Sequence, residues 1–382
     1  MTRRQLLQST AATGIGAAFL ARRPLGAVGQ ARQPGAAYDP WSRWEEGFGL
    51  PRAVRAAILG ASPHNTQAWK FRCTADRLDL FGDRSRTIGT IDPVLREQHI
   101  GTGCALENLL IAAEANGLGI RDFLYDERPE SDLIASLAFE PRTPVHSPLY
   151  GAIPHRHTNR SPYLANRQIA AYRIRDLEGL NAEPELLQVQ LWTGAQHSKM
   201  RELSIAAAEA VVADRQQSTD SARWYRGTRA AVERYRDGTT LDAQGMSPLL
   251  TALAKLLPEP SRSMADRVFV NNVKNIYCGP GAVFGTIFAK TRAGKADMAR
   301  AGRLWQRMHL WATVSGIAMQ PLNQIHERID REATTGIDPV FSRDLAALAP
   351  DSGWHGVFSF RMGYGSRSAR PSPRRDPAAT MI

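Results

Sequence analysis

The chain has 382 residues, 43% of them hydrophobic, which is enough for a full core in about two domains, and it carries a formal net charge of +11. That charge sits largely at the ends: residues 1 to 36 hold Arg3, Arg4, Arg22, Arg23 and Arg32 with no acid, and residues 367 to 382 hold four arginines against Asp376. The body is nearly balanced and has no basic patch interleaved with aromatics, which excludes a nucleic-acid-binding profile. Cys73, Cys104 and Cys278 are widely spaced, give neither a metal spacing nor a disulfide framework, and read as buried free thiols.

Thr2-Arg3-Arg4-Gln5-Leu6-Leu7 precedes a weakly apolar run from Ser9 to Ala21, and Ala27-Val28-Gly29 offers small residues for cleavage. This order is that of a twin-arginine export signal over residues 1–29, with an uncleaved basic tail as the alternative. The run falls short of the ~20 residues a membrane-spanning helix needs, so no stable span is expected once the signal is gone. The expected location is periplasmic or otherwise extracytoplasmic. The twin-arginine route moves folded proteins, usually because a cofactor is inserted before crossing, so the segment also hints at a bound cofactor.

After a linker at 30–49, a helix is expected from Pro51 to Gly60, followed by the turn Ala61-Ser62-Pro63-His64-Asn65-Thr66-Gln67-Ala68-Trp69 and an apolar strand. Asn65 and Gln67 each offer a donor and an acceptor, matching the alternating groups of a flavin's pyrimidine edge, while Pro63 and Trp69 supply stiffness and cover. A polar loop that caps its neighbours would use the same residues. A second strand follows at Arg77 to Phe81, then a long helix from Glu97 to Asn116 whose stripe (Ile100, Cys104, Leu106, Leu109, Leu110, Ala113) includes small residues, implying close packing on another helix. Gly117-Leu118-Gly119 ends it. A strand is expected at Asp122 to Tyr125, and Leu133 to Glu140 reads as helix or strand.

A second unit starts near Gly151. Arg156, His157, Thr158 and Arg160 precede a predicted helix at Asn166 to Leu180, where two guanidiniums, an imidazole, a hydroxyl and free helix N–H groups would form an anion site fit for a phosphate monoester. A solvated basic turn capped by Thr158 is the alternative. A strand at Leu187 to Thr193, a charged helical stretch from Ser198 to Arg236 and a Gly/Pro/Leu/Ser-rich insertion at about 237–262 follow. The insertion reads as a mobile lid or as a surface hairpin of helices. A second long helix, Ala301 to Met319, ends in Met319-Gln320-Pro321-Leu322-Asn323-Gln324, where Pro321 frees backbone groups that could bond a ring edge. Setting Gly117 against Gly316 gives an offset of 199 over the central helices, which suggests an internal duplication. A strand at Val357 to Met362 and the turn Gly363-Tyr364-Gly365 tether the basic tail 367–382, including Ser372, Arg374 and Arg375, to the core.

Together the 61–69 turn, Asp92-Pro93-Val94-Leu95-Arg96-Glu97, Arg156-His157-Thr158-Asn159-Arg160, Gln320-Pro321-Leu322-Asn323-Gln324 and Ser372-Pro373-Arg374-Arg375 resemble the nitroreductase family, and within it the single-chain Acg-type members in which two halves are fused. The resemblance spans about residues 50 to 375. It implies an α+β fold with mixed sheets around long central helices, the halves 50–150 and 151–366 forming a pseudo-dimer in one chain. It implies FMN, with Arg156, His157, Thr158, Arg160, Ser372, Arg374 and Arg375 about the phosphate, and His64, Asn65, Gln67, Gln320, Pro321 and Asn323 about the ring system. One flavin per chain is expected, since neither half repeats the other's motifs. The implied activity is electron or hydride transfer through flavin N5 between an unidentified donor and a small redox substrate, with storage of flavin without turnover as the alternative. The family's usual Gln-Pro-Trp stands here as Gln67-Ala68-Trp69.

Overall fold

The computed structural model describes residues 35–382 apart from 293 and 352. The expected export signal, 1–29, lies outside the described residues. In chain order the elements are α1 (Gly49–Ala57), β1 (Trp69–Cys73), β2 (Arg77–Gly82), α2 (Arg96–Ala115), β3 (Leu118–Tyr125), β4 (Leu133–Pro141) and α3 (Pro148–Ala152). Then come α4 (Ala171–Glu178), β5 (Leu187–Trp192), α5 (Gly194–Ala213), α6 (Arg215–Ala222), β6 (Tyr225–Arg226), α7 (Arg229–Tyr235), β7 (Thr239–Thr240), α8 (Pro248–Ala254) and α9 (Arg262–Asn272). The chain continues through β8 (Val283–Ala289), α10 (Lys295–Val314), β9 (Ala318–Pro321), α11 (Gln324–Thr335), α12 (Val340–Ala346) and β10 (His355–Gly363).

The strands form two four-stranded sheets of the same order, β1-β2-β4-β3 and β5-β8-β10-β9. Where mixed sheets are expected, pairing within each is antiparallel throughout, and parallel pairing among named strands is confined to the short β6–β7 ladder. The α+β class stands. Leu133–Pro141, open to either reading in the sequence, is a strand because its neighbours β2 and β3 each offer it a full ladder.

The two sheets flank a pair of long helices, α2 and α10, which pack more extensively on each other than any other elements do. Their bounds are offset by 199 at both ends. Glycines make the close approach possible. A Cβ on Gly103 would stand 2.1 Å from the Ala299 carbonyl oxygen, and one on Gly302 would stand 2.0 Å from that of Ile100. These glycines are themselves 199 apart, so each helix presents the same notch to the other. The pair is then sealed by polar contacts, Gln306 Nε2 to Asn108 Oδ1 at 2.8 Å and Arg303 Nε to Glu107 Oε2 at 3.0 Å.

Three features differ from the sequence expectation. The second central helix stops at Val314, because Gly316 takes φ +67° and reverses the chain; Ala318–Pro321 is therefore an edge strand paired with β10 rather than a helix end. The expected helix at 166–180 forms only over Ala171–Glu178, since Tyr163 bridges Gly365 and Leu164 N–H donates to the Tyr364 carbonyl, holding the preceding segment extended. The residue before Pro162 is biased the same way. Finally, β9 and β10 are separated by α11 and α12, whereas β3 and β4 are joined by the short turn at 126–132. Among the described residues, no helix is long and apolar enough to cross a membrane, and no cluster of potential metal ligands occurs. All three cysteines are free thiols: Cys104 and Cys278 are buried as expected, whereas Cys73 is only partly so.

Candidate functional site

The turn after α1 is bent by its backbone. His64, Asn65 and Gln67 all adopt positive φ, 46°, 54° and 53°, a conformation that costs non-glycine residues about 1–2 kcal/mol each and persists only when the surroundings over-determine it. Those surroundings are hydrogen bonds. Asn65 Nδ2 donates to the carbonyls of Gly238 (3.1 Å) and Pro373 (3.0 Å), and its Oδ1 accepts from Arg374 Nη1 at 2.6 Å. Gln67 is fully buried, donating from Nε2 to the Arg236 carbonyl at 2.9 Å and accepting the Arg375 N–H at 2.8 Å. Arg375 returns a bond to the Gln67 carbonyl at 3.1 Å. Gln67 and Arg375 therefore line neither cavity described below. They clamp the C-terminal segment onto the turn, and the pairing with a flavin edge expected of Gln67 is not open to it.

Two adjoining cavities open beside this turn, sharing Ala61, Ser62, His64, Thr158, Arg160 and Thr239 as a common wall. The larger, about 250 Å³, has an aromatic and apolar lining of Ile100, Phe269, Tyr277, Trp305, Leu322 and Phe358, with Gln320, Pro321 and Asn323 on one side. Gln320 Oε1 accepts from Arg361 Nε at 2.8 Å and Asn323 Oδ1 accepts the Ser359 N–H at 3.1 Å, so these amides are held by β10. Glu97 and Glu327 form the far end.

The smaller cavity, about 50 Å³, collects Arg156, His157, Arg160 and Arg374 with the hydroxyls of Thr158 and Ser372 and the amide of Asn65. They do not stand at a helix start as the sequence suggests. Residues 156–160 run extended after a short 3-10 turn at Ile153–His155, and the next helix begins at Ala171. What converges there is Arg156 from one segment and Arg374 from another, both almost fully buried. Arg156 Nη2 donates to the Leu59 carbonyl (3.0 Å) and Arg374 Nη2 to that of Gly60 (3.1 Å), so the two cations sit on the negative C-terminal end of α1. Arg374 also lies 4.6 Å over the Trp41 ring.

These partial compensations do not replace a counter-charge. No carboxylate among the described residues pairs with either guanidinium, and the Nε of each is buried without a hydrogen-bond partner. Burial lowers Arg156 to about 10, and burial together with Arg156 holds Arg374 well below the usual arginine range. His157, edge-on to Trp41 at 4.5 Å, is held well below its ordinary value by burial, Arg156 and Arg374, and is neutral at pH 7. Arg160 donates to the Ala243 carbonyl at 3.1 Å, and burial lowers it too. A buried charge costs several kcal/mol unless paired, so two unpaired guanidiniums with idle N–H groups describe a site for an anion.

Sequence reasoning missed the lining contributed by Glu97, Tyr277, Trp305, Glu327 and Phe358. Asp92 and Glu97 lie in a motif noted at the start of the first central helix, but α11, which carries Glu327, has no counterpart in the first half to suggest it.

No protein-family model matches the chain. Two Mycobacterium tuberculosis proteins, from strains CDC 1551 / Oshkosh and ATCC 25618 / H37Rv, each named "Putative NAD(P)H nitroreductase", are 28% identical over 109 residues, 28% of this chain and 32% of theirs. The match thus spans about a third of the length of these relatives. A solved nitroreductase with bound FMN from Desulfitobacterium hafniense DCB-2 superposes with a TM-score of 0.37 at 12% identity, covering 62% of this chain and 98% of its own. Over that matched segment the chain is similar in sequence to these two proteins.

Proposed function

We propose that the chain is an exported FMN-dependent oxidoreductase of the nitroreductase-like type, holding one FMN between two halves fused in one chain. The observation that carries the reading is the pair Arg156 and Arg374, buried without a carboxylate and with unpartnered Nε groups, at the mouth of a wider aromatic chamber. That juxtaposition suits a ligand with a phosphate monoester at one end and a flat ring at the other. Arg156, Arg374, Thr158 and Arg160 would hold the phosphate. His64, Gln320, Pro321, Asn323 and the Trp305 and Phe358 rings would enclose the ring system. Bound FMN supplies hydride transfer at its N5. The protein excludes water from the chamber and orients the ligand through the rigid 61–67 turn. No side chain need act as nucleophile.

Two halves of common origin are supported by the shared strand order, the 199-residue offset and the matched notches at Gly103 and Gly302. Export rests on the twin-arginine pattern alone. The names of the sequence relatives support a nicotinamide hydride source with a nitro compound as acceptor. A second reading, flavin storage without turnover, is favoured by one observation: Ser221, Thr239, Gln244 and Phe269, from the segment between β5 and β8, wall the larger cavity. Steady-state reduction of a quinone by any donor would exclude storage.

The test is the visible absorption spectrum of the protein purified without residues 1–29, with quantitation of the flavin released on denaturation. FMN near one per chain is expected, and Asn65→Ala combined with Arg156→Ala should remove it. A colourless wild type that takes up no added FMN overturns the proposal.

A further inference from the structure

At the far end of the larger cavity four carboxyl groups, Asp92, Glu97, Glu327 and Asp330, meet two guanidiniums, Arg96 and Arg292. The partners are unevenly shared. Asp92 caps α2, accepting the N–H groups of Glu97 (3.0 Å) and Gln98 (2.9 Å). Asp330 takes both cations, from Arg96 Nε and Arg292 Nη2, each at 2.6 Å. Glu97 is left with a single 3.3 Å contact to Arg96 Nη2. The Glu327 carboxyl makes no hydrogen bond among the described residues, is 4% exposed, and lines the cavity beside Glu97. Two of the four acids are thus satisfied, and the two that face the chamber are not.

We propose that Glu327 is the proton donor to the acceptor reduced in this chamber, with Glu97 beside it in the cavity wall. The inference rests on the redox reading above and adds the acid that reading lacks. From bound reduced FMN a quinone acceptor would receive a hydride, two electrons and one hydrogen. Its oxygen takes the second hydrogen as a proton: the Glu327 O–H bond breaks, the hydroquinone O–H bond forms, and the carboxylate left behind is re-protonated from water once the product leaves. The surrounding charges agree. Burial is the largest influence on both groups and raises them, Glu97 to about 7 and Glu327 well above its ordinary value, with Arg96 opposing and Asp92 and Asp330 reinforcing the shift. Other groups share the cluster: His326 and Arg292 lie beside it, and the Gln217 side chain contacts the Glu327 backbone.

The experiment compares wild type, Glu327→Gln and Glu97→Gln in two ways. The first is an infrared difference spectrum of the flavin-free protein across neutral pH. Wild type should show carbonyl stretches of protonated carboxylic acids, of which Glu327→Gln removes one and Glu97→Gln another; a wild-type spectrum that Glu327→Gln leaves unchanged overturns the proposal without reference to flavin. The second is the reoxidation of flavin-loaded protein by a quinone. Glu327→Gln should bind flavin as wild type does, accept electrons from dithionite at the same rate, and reduce the quinone about a hundredfold or more slowly, with the fall in rate at rising pH abolished. Glu97→Gln should shift that limb to lower pH. A loaded Glu327→Gln protein with the wild-type rate and pH profile overturns this inference alone, whereas a wild type that binds no flavin overturns it together with the reading beneath it.

Discussion

The starts of the two central helices occupy matching places and have been put to different uses. Arg96 opens α2 and Lys295 opens α10, 199 residues on, and each reaches across into the other half. Arg96 binds Asp330 on α11 and the Val357 carbonyl of β10 at 2.9 Å. Lys295 Nζ donates to the carbonyls of Arg128 (2.7 Å), Ser131 (2.9 Å) and Leu133 (2.7 Å), and lies 3.5 Å from Asp126. Around Arg96 the long β9–β10 connection supplies Asn323, Gln324 and Glu327 and leaves a chamber. Around Lys295 the short turn at 126–132 folds onto the ammonium with three carbonyls. A shared strand order and matching helix bounds do not give matching surroundings, because the connections and not the frame make the walls.

The largest effect expected is at the cations themselves. Arg96→Met strands the buried Glu97, leaves Asp330 with Arg292 alone, and should cost about 3–5 kcal/mol in chemical denaturation, whereas Lys295→Met, which orphans backbone carbonyls beside an Asp126 still held by Arg128 and Ser131, should cost about 1–3 kcal/mol and leave flavin content intact. Equal losses, or flavin lost from Lys295→Met, would break the comparison. Next come the notches: Gly103→Ala and Gly302→Ala should each destabilise by about 2–3 kcal/mol and by similar amounts, since each drives a Cβ into a backbone carbonyl. At the anion end, inorganic phosphate should raise the melting temperature of flavin-free wild type, and Arg156→Ala should abolish that gain and weaken FMN binding about ten- to a hundredfold. No phosphate effect on wild type would count against the anion site.

A smaller effect is linked to pH. Because Glu97 is raised when folded, the folded state binds its proton more tightly than the unfolded chain; that contribution is full below the ordinary glutamate range and lost as pH rises through about 7. Wild type should therefore lose stability relative to Glu97→Gln between slightly acidic and slightly alkaline pH. Partly buried His64 works in the opposite sense: held at about 4 by desolvation and Arg160, it favours the fold as pH rises toward the ordinary histidine value. Smallest of all, Leu256→Ser and Leu257→Ser on the segment after α8 should change stability by less than about 0.5 kcal/mol, since both are largely exposed.

Much of the frame was legible in the sequence. Both central helices, the small residues between them and their offset are there in the apolar stripe, because helix packing writes itself at a fixed period. The basic pair Arg156 and Arg374 was legible as residue types, but not the reason they matter, since burial without a counter-charge depends on which distant segments meet. The helix end at Ala318–Met319 was misread because the apolar pattern runs on through Gly316 into β9. Gln67 and Arg375 looked like ligand contacts because an amide that clamps a tail offers the same groups as one that greets a ligand. Glu327 gave no signal: an acid in a helix reads as surface until a neighbouring strand buries it.

The anion site is assembled from positions far apart in the chain, and this has a consequence for its birth. Arg374 lies 218 residues after Arg156. At the usual pace of synthesis, about 5–20 residues per second, the second guanidinium emerges roughly 10–40 s after the first, when both sheets and both central helices have already had time to form. The pocket is therefore closed by a late arrival onto a waiting frame. Ligand loading would have to wait for that arrival, and a nascent chain halted before Arg374 should be folded in its core yet unable to retain the ligand.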